Sequence, residues 1–214
     1  LSIFQGIKKL PPAHGLALER GRAVVAPYWQ LDFSPRPISS EAEALAGLSD
    51  TLGEAVRLRL ISEVPLGAYL SGGVDSSTVV GLMARHSSRP VKTFSIGFED
   101  EEFNELPYAR LVARHLGTEH TECVVKPDAA ELIEHLVRHF DEPFADSSAI
   151  PTYYVSKVAR EHVTVALSGD GGDELFGGYP TYQAHRLARA YELIPQWLRR
   201  GLIRPVVERL PVSL

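Results

Sequence analysis

Cysteine is nearly absent: Cys123 is the single one among 214 residues. One cysteine excludes an internal disulfide and a multi-cysteine zinc site, and it fits a reducing, intracellular compartment. No run of five or more basic residues occurs. With 22 Lys+Arg against 27 Asp+Glu the formal net charge is −5, so a general nucleic-acid binder is not expected. No apolar stretch reaches the ~18–20 residues of a membrane span. The opening residues, with Gln5, Lys8 and Lys9 among them, lack the layout of a signal peptide. These absences point to a cytoplasmic protein with neither membrane nor nucleic-acid partners. No internal repeat or low-complexity tract is visible. What is present is ordinary globular composition, 44% hydrophobic and 23% charged, in a chain long enough for one large domain with a sizeable core. Its first residue is Leu rather than Met, so the natural start is expected upstream.

Residues 1–37 differ from the rest. Pro11, Pro12, Pro27, Pro35 and Pro37 interrupt short strand-like pieces such as Arg22 to Val25. This β-rich tail reads as the end of another domain with its linker, or as a β-extension packed on the main domain. The main domain is expected over 38–214. Ser40-Glu41-Ala42-Glu43 matches a capping box, and a helical period runs from there to about Ile61. Pro65 to Leu70 is nearly all apolar, as in a strand buried on both faces. Further strands are expected at Val91–Ile96, His120–Val125 and Val163–Leu167. Helices are expected from Ser76 to Arg85, from Asn104 to a left-handed cap at Gly117, from an Asp128 cap with Glu131 to about Phe140, and from Ser147 or Ser148 to about Glu161. Strands alternating with such helices predict an α/β fold, a parallel sheet with helices on both faces. Pro180 to Leu214 reads as helical, broken at Pro195, Gly201, Pro205 and Pro211.

Two glycine-rich loops stand where strands hand over to helices, the edge at which parallel sheets bind ligands. The first is Ser71-Gly72-Gly73-Val74-Asp75-Ser76-Ser77. Its glycines let backbone amides approach an anion, its hydroxyls add donors, and the helix start adds partial positive charge. It is not a Walker A loop, because no Gly-Lys-Ser/Thr closes it, and it lacks the spacing of a dinucleotide fingerprint. Asp75 among phosphate-binding groups implies a cation between, and Mg²⁺ held by one or two carboxylates plus phosphates is the usual arrangement. The second loop runs from Ser168 through Gly169, Asp170, Gly171, Gly172, Asp173, Glu174 and Leu175 to Phe176, Gly177, Gly178 and Tyr179. Its carboxylates suggest a second contact to Mg²⁺ opposite Asp75; the ligand spacing of a Ca²⁺-binding EF-hand is missing.

The first loop resembles the pyrophosphate loop of the N-type ATP pyrophosphatases, which cleave ATP between the α- and β-phosphates. The second resembles the second signature of the glutamine-dependent asparagine synthetase family, and Asp141 to Pro151 (Asp-Glu-Pro-Phe-Ala-Asp-Ser-Ser-Ala-Ile-Pro) is similar to that family's preceding segment. Residues 1–34, with Phe4 to Pro12 and Tyr28-Trp29, look like the end of a glutaminase domain and its link to a synthetase domain. The chain is thus identified as resembling a fragment of such a protein, with an adenine-nucleotide α-hydrolase-like (PP-loop) fold. The resemblance implies ATP and Mg²⁺, aspartate as the adenylated carboxylate, ammonia from glutamine as nucleophile, and a homodimer in the full-length protein.

Carried over by motif position, Ser71, Gly72, Gly73, Asp75, Ser76 and Ser77 hold the pyrophosphate end. Leu70 and Ile96, ending the first two strands, contact the adenosine. Ser168 and Gly169 also touch the nucleotide, and Asp75 and Asp173 ligate Mg²⁺. Asp170 stands where many relatives have Glu, a position tied to forming the acyl-adenylate. The family's catalytic lysine lies beyond the second loop, and no Lys follows Lys157 here; its glutaminase nucleophile is an N-terminal Cys, which this chain lacks. The chain as given is therefore expected to be inactive alone. β-Lactam-forming and peptide-cyclising synthetases share the loops and supply the alternative carboxylates, and a nucleotide-binding module without turnover is the alternative of another class. His135 and His139, four apart, lack the Glu of a zincin motif and read as an exposed helix face. Cys123 reads as a small buried hydrophobe. Arg199, Arg200, Arg204 and Arg209 read as a solvated helix face.

Overall fold

A computed structural model describes residues 2–32, 34, 38–99, 104–126, 129–140 and 143–207. The caps at Asp128 and Glu131, the first two residues of the Asp141–Pro151 motif, Pro35, Pro37, Arg209 and Pro211 fall outside what it describes, Glu131 for its side chain.

The tail forms an antiparallel hairpin, β1 (His14–Glu19) and β2 (Arg22–Pro27), with Leu16 opposite Val25 and Leu18 opposite Ala23. Apart from half-buried His14 its side chains are exposed, Leu16 and Leu18 among them. Helix α1 (Glu41–Arg59) comes next, and Ser40 Oγ accepts the Glu43 amide at 3.2 Å. The capping box is only half as expected. The Glu43 carboxylate passes over Ser40 and takes the amide of Ser39 at 2.9 Å, and the Ser39 hydroxyl as well.

Four parallel strands make the sheet: β3 (Leu66–Tyr69), β4 (Lys92–Phe98), β5 (Glu119–Val125) and β6 (Val165–Leu167), in the order β5-β4-β3-β6. Between them lie α2 (Val74–His86), α3 (Leu106–Leu116), α4 (Ala129–Phe140) and α5 (Ala149–Arg160). Strand side chains alternate between faces, and that alternation divides the core. Ala68 and Leu70 pack with Val56, Val80, Met83, Ala109 and Ala113 under α1, α2 and α3. Phe94 packs with Ala159 and Val163, flanked by Tyr69, Val155 and Val158, under α5. Helices therefore cover both faces, as an α/β parallel sheet requires. Phe94 is fully buried and stacks on His162 with ring centroids 5.7 Å apart; burial of such a side chain stabilises the fold by about 2–3 kcal/mol. The Tyr69 hydroxyl meets Ser156 Oγ at 2.9 Å, which satisfies the polar end of a ring set against α5.

Several boundaries differ from expectation, each for a visible reason. β4 runs to Phe98, not Ile96, because its ladder with β5 continues to the pair Phe98–Val125. Cys123 is half-buried rather than buried, since β5 is an edge strand. The second loop is not all loop: α6 (Gly172–Phe176) occupies its middle. Beyond it come α7 (Pro180–Glu192), α8 (Gln196–Leu198), a π-helical turn over Arg199–Ile203 and α9 (Arg204–Val207). Gly201 and Pro205 thus sit within helical turns instead of breaking them. Gly117 caps α3 in the left-handed region at φ 65°, as expected.

A polar cluster lies at the amino ends of β4 and β5. Buried Thr93 Oγ1 meets Thr118 Oγ1 at 2.8 Å and His120 Nδ1 at 2.9 Å. His120 Nε2 faces Glu122 at 3.4 Å, and Glu122 also takes the Arg110 guanidinium at 2.7–2.8 Å. Burial, the largest influence, lowers the His120 pKa from its usual 6.5; Glu122 opposes that shift and Arg110 adds to it. Below about pH 6.5 the unfolded chain takes up a proton that the folded chain refuses. This contribution to stability is present above that pH and falls as pH drops toward the lower folded value. Urea midpoints should therefore fall less for His120→Gln than for the parent between about pH 7.5 and 5.5. Equal falls would show that His120 does not titrate differently on folding.

Candidate active site

Both glycine-rich loops leave the sheet at its carboxyl edge. From β3 the ladder carries on to Leu70, whose amide donates to the Phe94 carbonyl at 2.9 Å. The chain then turns through Gly72 at φ 85° into α2, with Gly73 as its N-cap. Inside the turn, Ser71 Oγ and Ser76 Oγ are 2.9 Å apart, and Ser71 Oγ accepts the Gly73 amide at 3.2 Å. Buried Ser95 donates to the Leu70 carbonyl and ties the loop to β4. No side chain caps α2, so the first-turn amides that a helix leaves unpaired remain there for a ligand.

The second loop leaves β6, which pairs with β3, and so lands beside the first. A β-carbon on Gly169 would stand 2.7 Å from the Ser76 amide nitrogen and 2.9 Å from the Asp75 carbonyl carbon; one on Gly172 would stand 2.4 Å from Asp75 Oδ2. Real β-carbons do not come so close to backbone, so glycine at 169 is what lets the two loops meet. Ser168 Oγ donates to Asp170 Oδ2 at 3.0 Å and orients that carboxylate. The Tyr179 hydroxyl donates to Glu174 Oε1 at 2.7 Å. That bond, its largest cause, pushes the Tyr179 pKa up to about 12 and holds the Glu174 carboxyl below its usual value.

Two adjoining cavities, with Ser71 in the wall of both, result. The polar one, about 400 Å³, is lined by Gly73, Asp75, Ser76, Gly169, Asp170 and Asp173, together with Val74, Gly171, Glu174 and Tyr179. The apolar one, about 180 Å³, is lined by Leu70, Phe94, Ile96, Ala109, Pro151 and Val155, with Ser95, Glu105 and Thr152. Most of the residues expected from sequence are thus brought together. Three line neither cavity: Gly72 packs on α3, the Ser168 hydroxyl donates to Asp170, and the buried Ser77 hydroxyl has no hydrogen-bond partner among the described residues. Ile96 lines the apolar cavity from within β4 rather than from its end. Sequence reasoning missed Ser95, Glu105, Thr152 and Val155. Only Thr152 had a signal, its place directly after the Asp141–Pro151 motif.

The donor set fits a hard cation shared with phosphate oxygens. Four carboxylates and no Lys or Arg line the polar cavity among the described residues. No group of three or more His, Cys, Asp or Glu among the described residues could hold a metal alone, so phosphate oxygens would have to complete the shell, as is usual for Mg²⁺.

Residues 47–211 match the family model described as Asparagine synthase. The chain is 38% identical over 200 residues to asparagine synthetase (glutamine-hydrolyzing) 1 of Bacillus subtilis, covering 92% of this chain and 31% of that protein. It is 40% identical over 217 residues to a putative asparagine synthetase (glutamine-hydrolyzing) 2 of Methanocaldococcus jannaschii, covering 99% of this chain and 41% of that one. An amidase chyE of Penicillium rubens is 32% identical over 87% of this chain and 31% of its own length. The chain thus spans well under half the length of these relatives. Among solved structures, an NH3-dependent NAD synthetase from Campylobacter jejuni aligns with 63% of this chain and 60% of its own, at 13% identity and a TM-score of 0.43.

Proposed function

Because this chain belongs to the asparagine synthase family, we propose that its cleft binds Mg·ATP and adenylates a carboxylate, most simply the side chain of aspartate. A carboxylate oxygen attacks the α-phosphorus, the bond to the bridging oxygen breaks, and pyrophosphate leaves. Ammonia then attacks the acyl carbon, AMP departs with the C–O bond, and the nitrogen loses a proton to give asparagine. The observation that carries this reading is the contact of Gly169 with Asp75 and Ser76, which joins two glycine-rich loops into one polar cleft beside an apolar cavity. In it, Ser71, Gly73, Ser76 and the α2 amides hold the pyrophosphate end, and Leu70 and Ile96 flank the adenosine. Asp75 and Asp173 hold Mg²⁺, which offsets charge on the phosphates. Asp170, oriented by Ser168, faces the reacting carboxylate. The chain's own work is positioning and charge stabilisation.

Residues 1–37 are the end of a glutaminase domain that supplies ammonia, 38–214 belong to the synthetase domain, and the full-length protein acts in the cytoplasm as a homodimer. Similarity to the Penicillium amidase supports a second reading, in which the same adenylation serves a different carboxylate. ATP–pyrophosphate exchange by the full-length protein, across a panel of carboxylates, tests both. Aspartate should stimulate exchange; stimulation by another carboxylate alone would replace asparagine as the product. Calorimetry with Mg·ATP on the 214-residue chain separates binding from turnover: binding without exchange leaves a nucleotide-binding module.

A further inference from the structure

Among the described residues, the apolar cavity has one ionisable group in its wall, Glu105. Glu105 occupies the N-cap position of α3 without capping it. The Leu106 amide is taken instead by Asn104 Oδ1 at 3.2 Å. The Glu105 carbonyl accepts the amides of Tyr108 and Ala109, at 3.0 and 3.1 Å, but its carboxylate makes no hydrogen bond or ion pair among the described residues. A carboxylate offers about four lone-pair sites, and here the fold uses none of them.

The backbone that carries it is nevertheless held, because the start of α3 is pinned on both sides of it. A β-carbon on Gly97 would stand 2.5 Å from Leu106 Cδ1 and 2.8 Å from Asn104 Oδ1; one on Gly72 would stand 2.6 Å from the Ala109 nitrogen. Strand β4 and the first loop therefore both press on the start of the helix. Glu105 and Ala109, four apart, share a helix face and lie about 6 Å apart along its axis. Ala109 touches the Gly72 turn and lines the same cavity as Glu105.

We propose that Glu105 reads the sugar of the bound nucleotide, its carboxylate accepting the ribose 2′- and 3′-hydroxyls, and so sets a preference for ribonucleotides. This rests on the cleft being a Mg·ATP site. With phosphates at the first loop and the base against Phe94, Pro151 and Val155, the sugar lies between. That is one helical turn from the first loop, where Glu105 stands. A vicinal diol donates two hydrogen bonds, and a carboxylate accepts both. An acidic side chain pairs with ribose hydroxyl in the same way at the carboxyl edge of dinucleotide-binding sheets.

The test is calorimetry on the full-length parent, Glu105→Gln and Glu105→Ala, with Mg²⁺ complexes of ATP, 2′-deoxy-ATP, 3′-deoxy-ATP and ITP. The parent should bind ATP about tenfold more tightly than either deoxy analogue, the size expected for losing a charge-assisted hydrogen bond. Glu105→Ala, which loses both bonds, should bind ATP about ten- to a hundredfold more weakly and treat ATP and both deoxy analogues alike; Glu105→Gln should retain part of the discrimination. Thermal midpoints should not move. Equal discrimination by parent and Glu105→Ala would overturn the proposal. So would loss of discrimination confined to ITP, which would make Glu105 a base reader, or a large drop in midpoint, which would make it structural. A parent that binds no Mg·ATP would sink the cleft reading together with this one, whereas normal binding with unchanged discrimination sinks this one alone.

Discussion

Gly72→Ala should cost about 3 kcal/mol, divided between the stability of the chain and its affinity for Mg·ATP. Two penalties combine. At φ 85° an alanine is strained in the left-handed region, by about 1–2 kcal/mol. Its β-carbon would also stand 2.5 Å from the Tyr108 carbonyl carbon and 2.6 Å from the Ala109 nitrogen. These are backbone atoms of a packed helix and cannot swing aside, and overpacking of that kind costs about 1–3 kcal/mol. Relief comes only if the loop lifts from α3, which moves the amides of Gly73 and the first turn of α2. If the loop takes most of the strain, Mg·ATP affinity falls by up to about a hundredfold while the fold survives. Gly73→Ala is the control. Its φ of −67° suits any L-residue, and the nearest atom to its β-carbon is the Ser71 hydroxyl at 3.3 Å, so stability should stay within about 1 kcal/mol of the parent. Should Gly72→Ala match the parent in both denaturation midpoint and affinity, the first loop is not clamped to α3.

Asp170→Ala should lower pyrophosphate release by the full-length protein about 10²–10³-fold, the usual size for removing one preorganised electrostatic group. Mg·ATP affinity should change much less, since in the proposed site the first loop and Asp75, not Asp170, hold the phosphates. Asp170 is exposed at the wall of the polar cavity, and Ser168 Oγ fixes its carboxylate from below. Ser168→Ala should therefore reproduce part of the loss. Asp170→Glu, which keeps the charge on a longer side chain, should keep most of the activity. Unchanged release by Asp170→Ala would remove this residue from the chemistry.

Much of the fold is legible in the sequence because the signals are local. The apolar run before Ser71, the glycine after Leu116 and the spacing of strands and helices each state their own conformation. Each is borne out by β3, by the left-handed Gly117 and by the alternating elements around the sheet. The errors come from pairing. How far β4 runs depends on its partner, β5, and whether Cys123 is covered depends on which strand stands at the edge. The site divides in the same way. Asp75, Asp170 and Asp173 announce themselves by glycine-rich context. Glu105 does not, since an acidic residue before a helix is ordinary and only the packing of α3 on β4 and the first loop brings it to the cavity. Ser77, marked by its motif, is turned instead to a buried position without a hydrogen-bond partner among the described residues.

The adjacency of β3 and β6 also sets the order in which the molecule can assemble. Leu66 pairs with Val165, a contact about a hundred residues apart, and such long closures form late in folding. The first loop, α2, β4, α3 and β5 can organise among themselves as the chain leaves the ribosome, whereas the cleft has only one wall until β6 arrives. During that interval the outer edge of β3 is an unpaired strand edge beside apolar residues, the usual template for association between chains. If the cleft is the Mg·ATP site proposed above, nucleotide present during refolding should favour the closed arrangement by mass action.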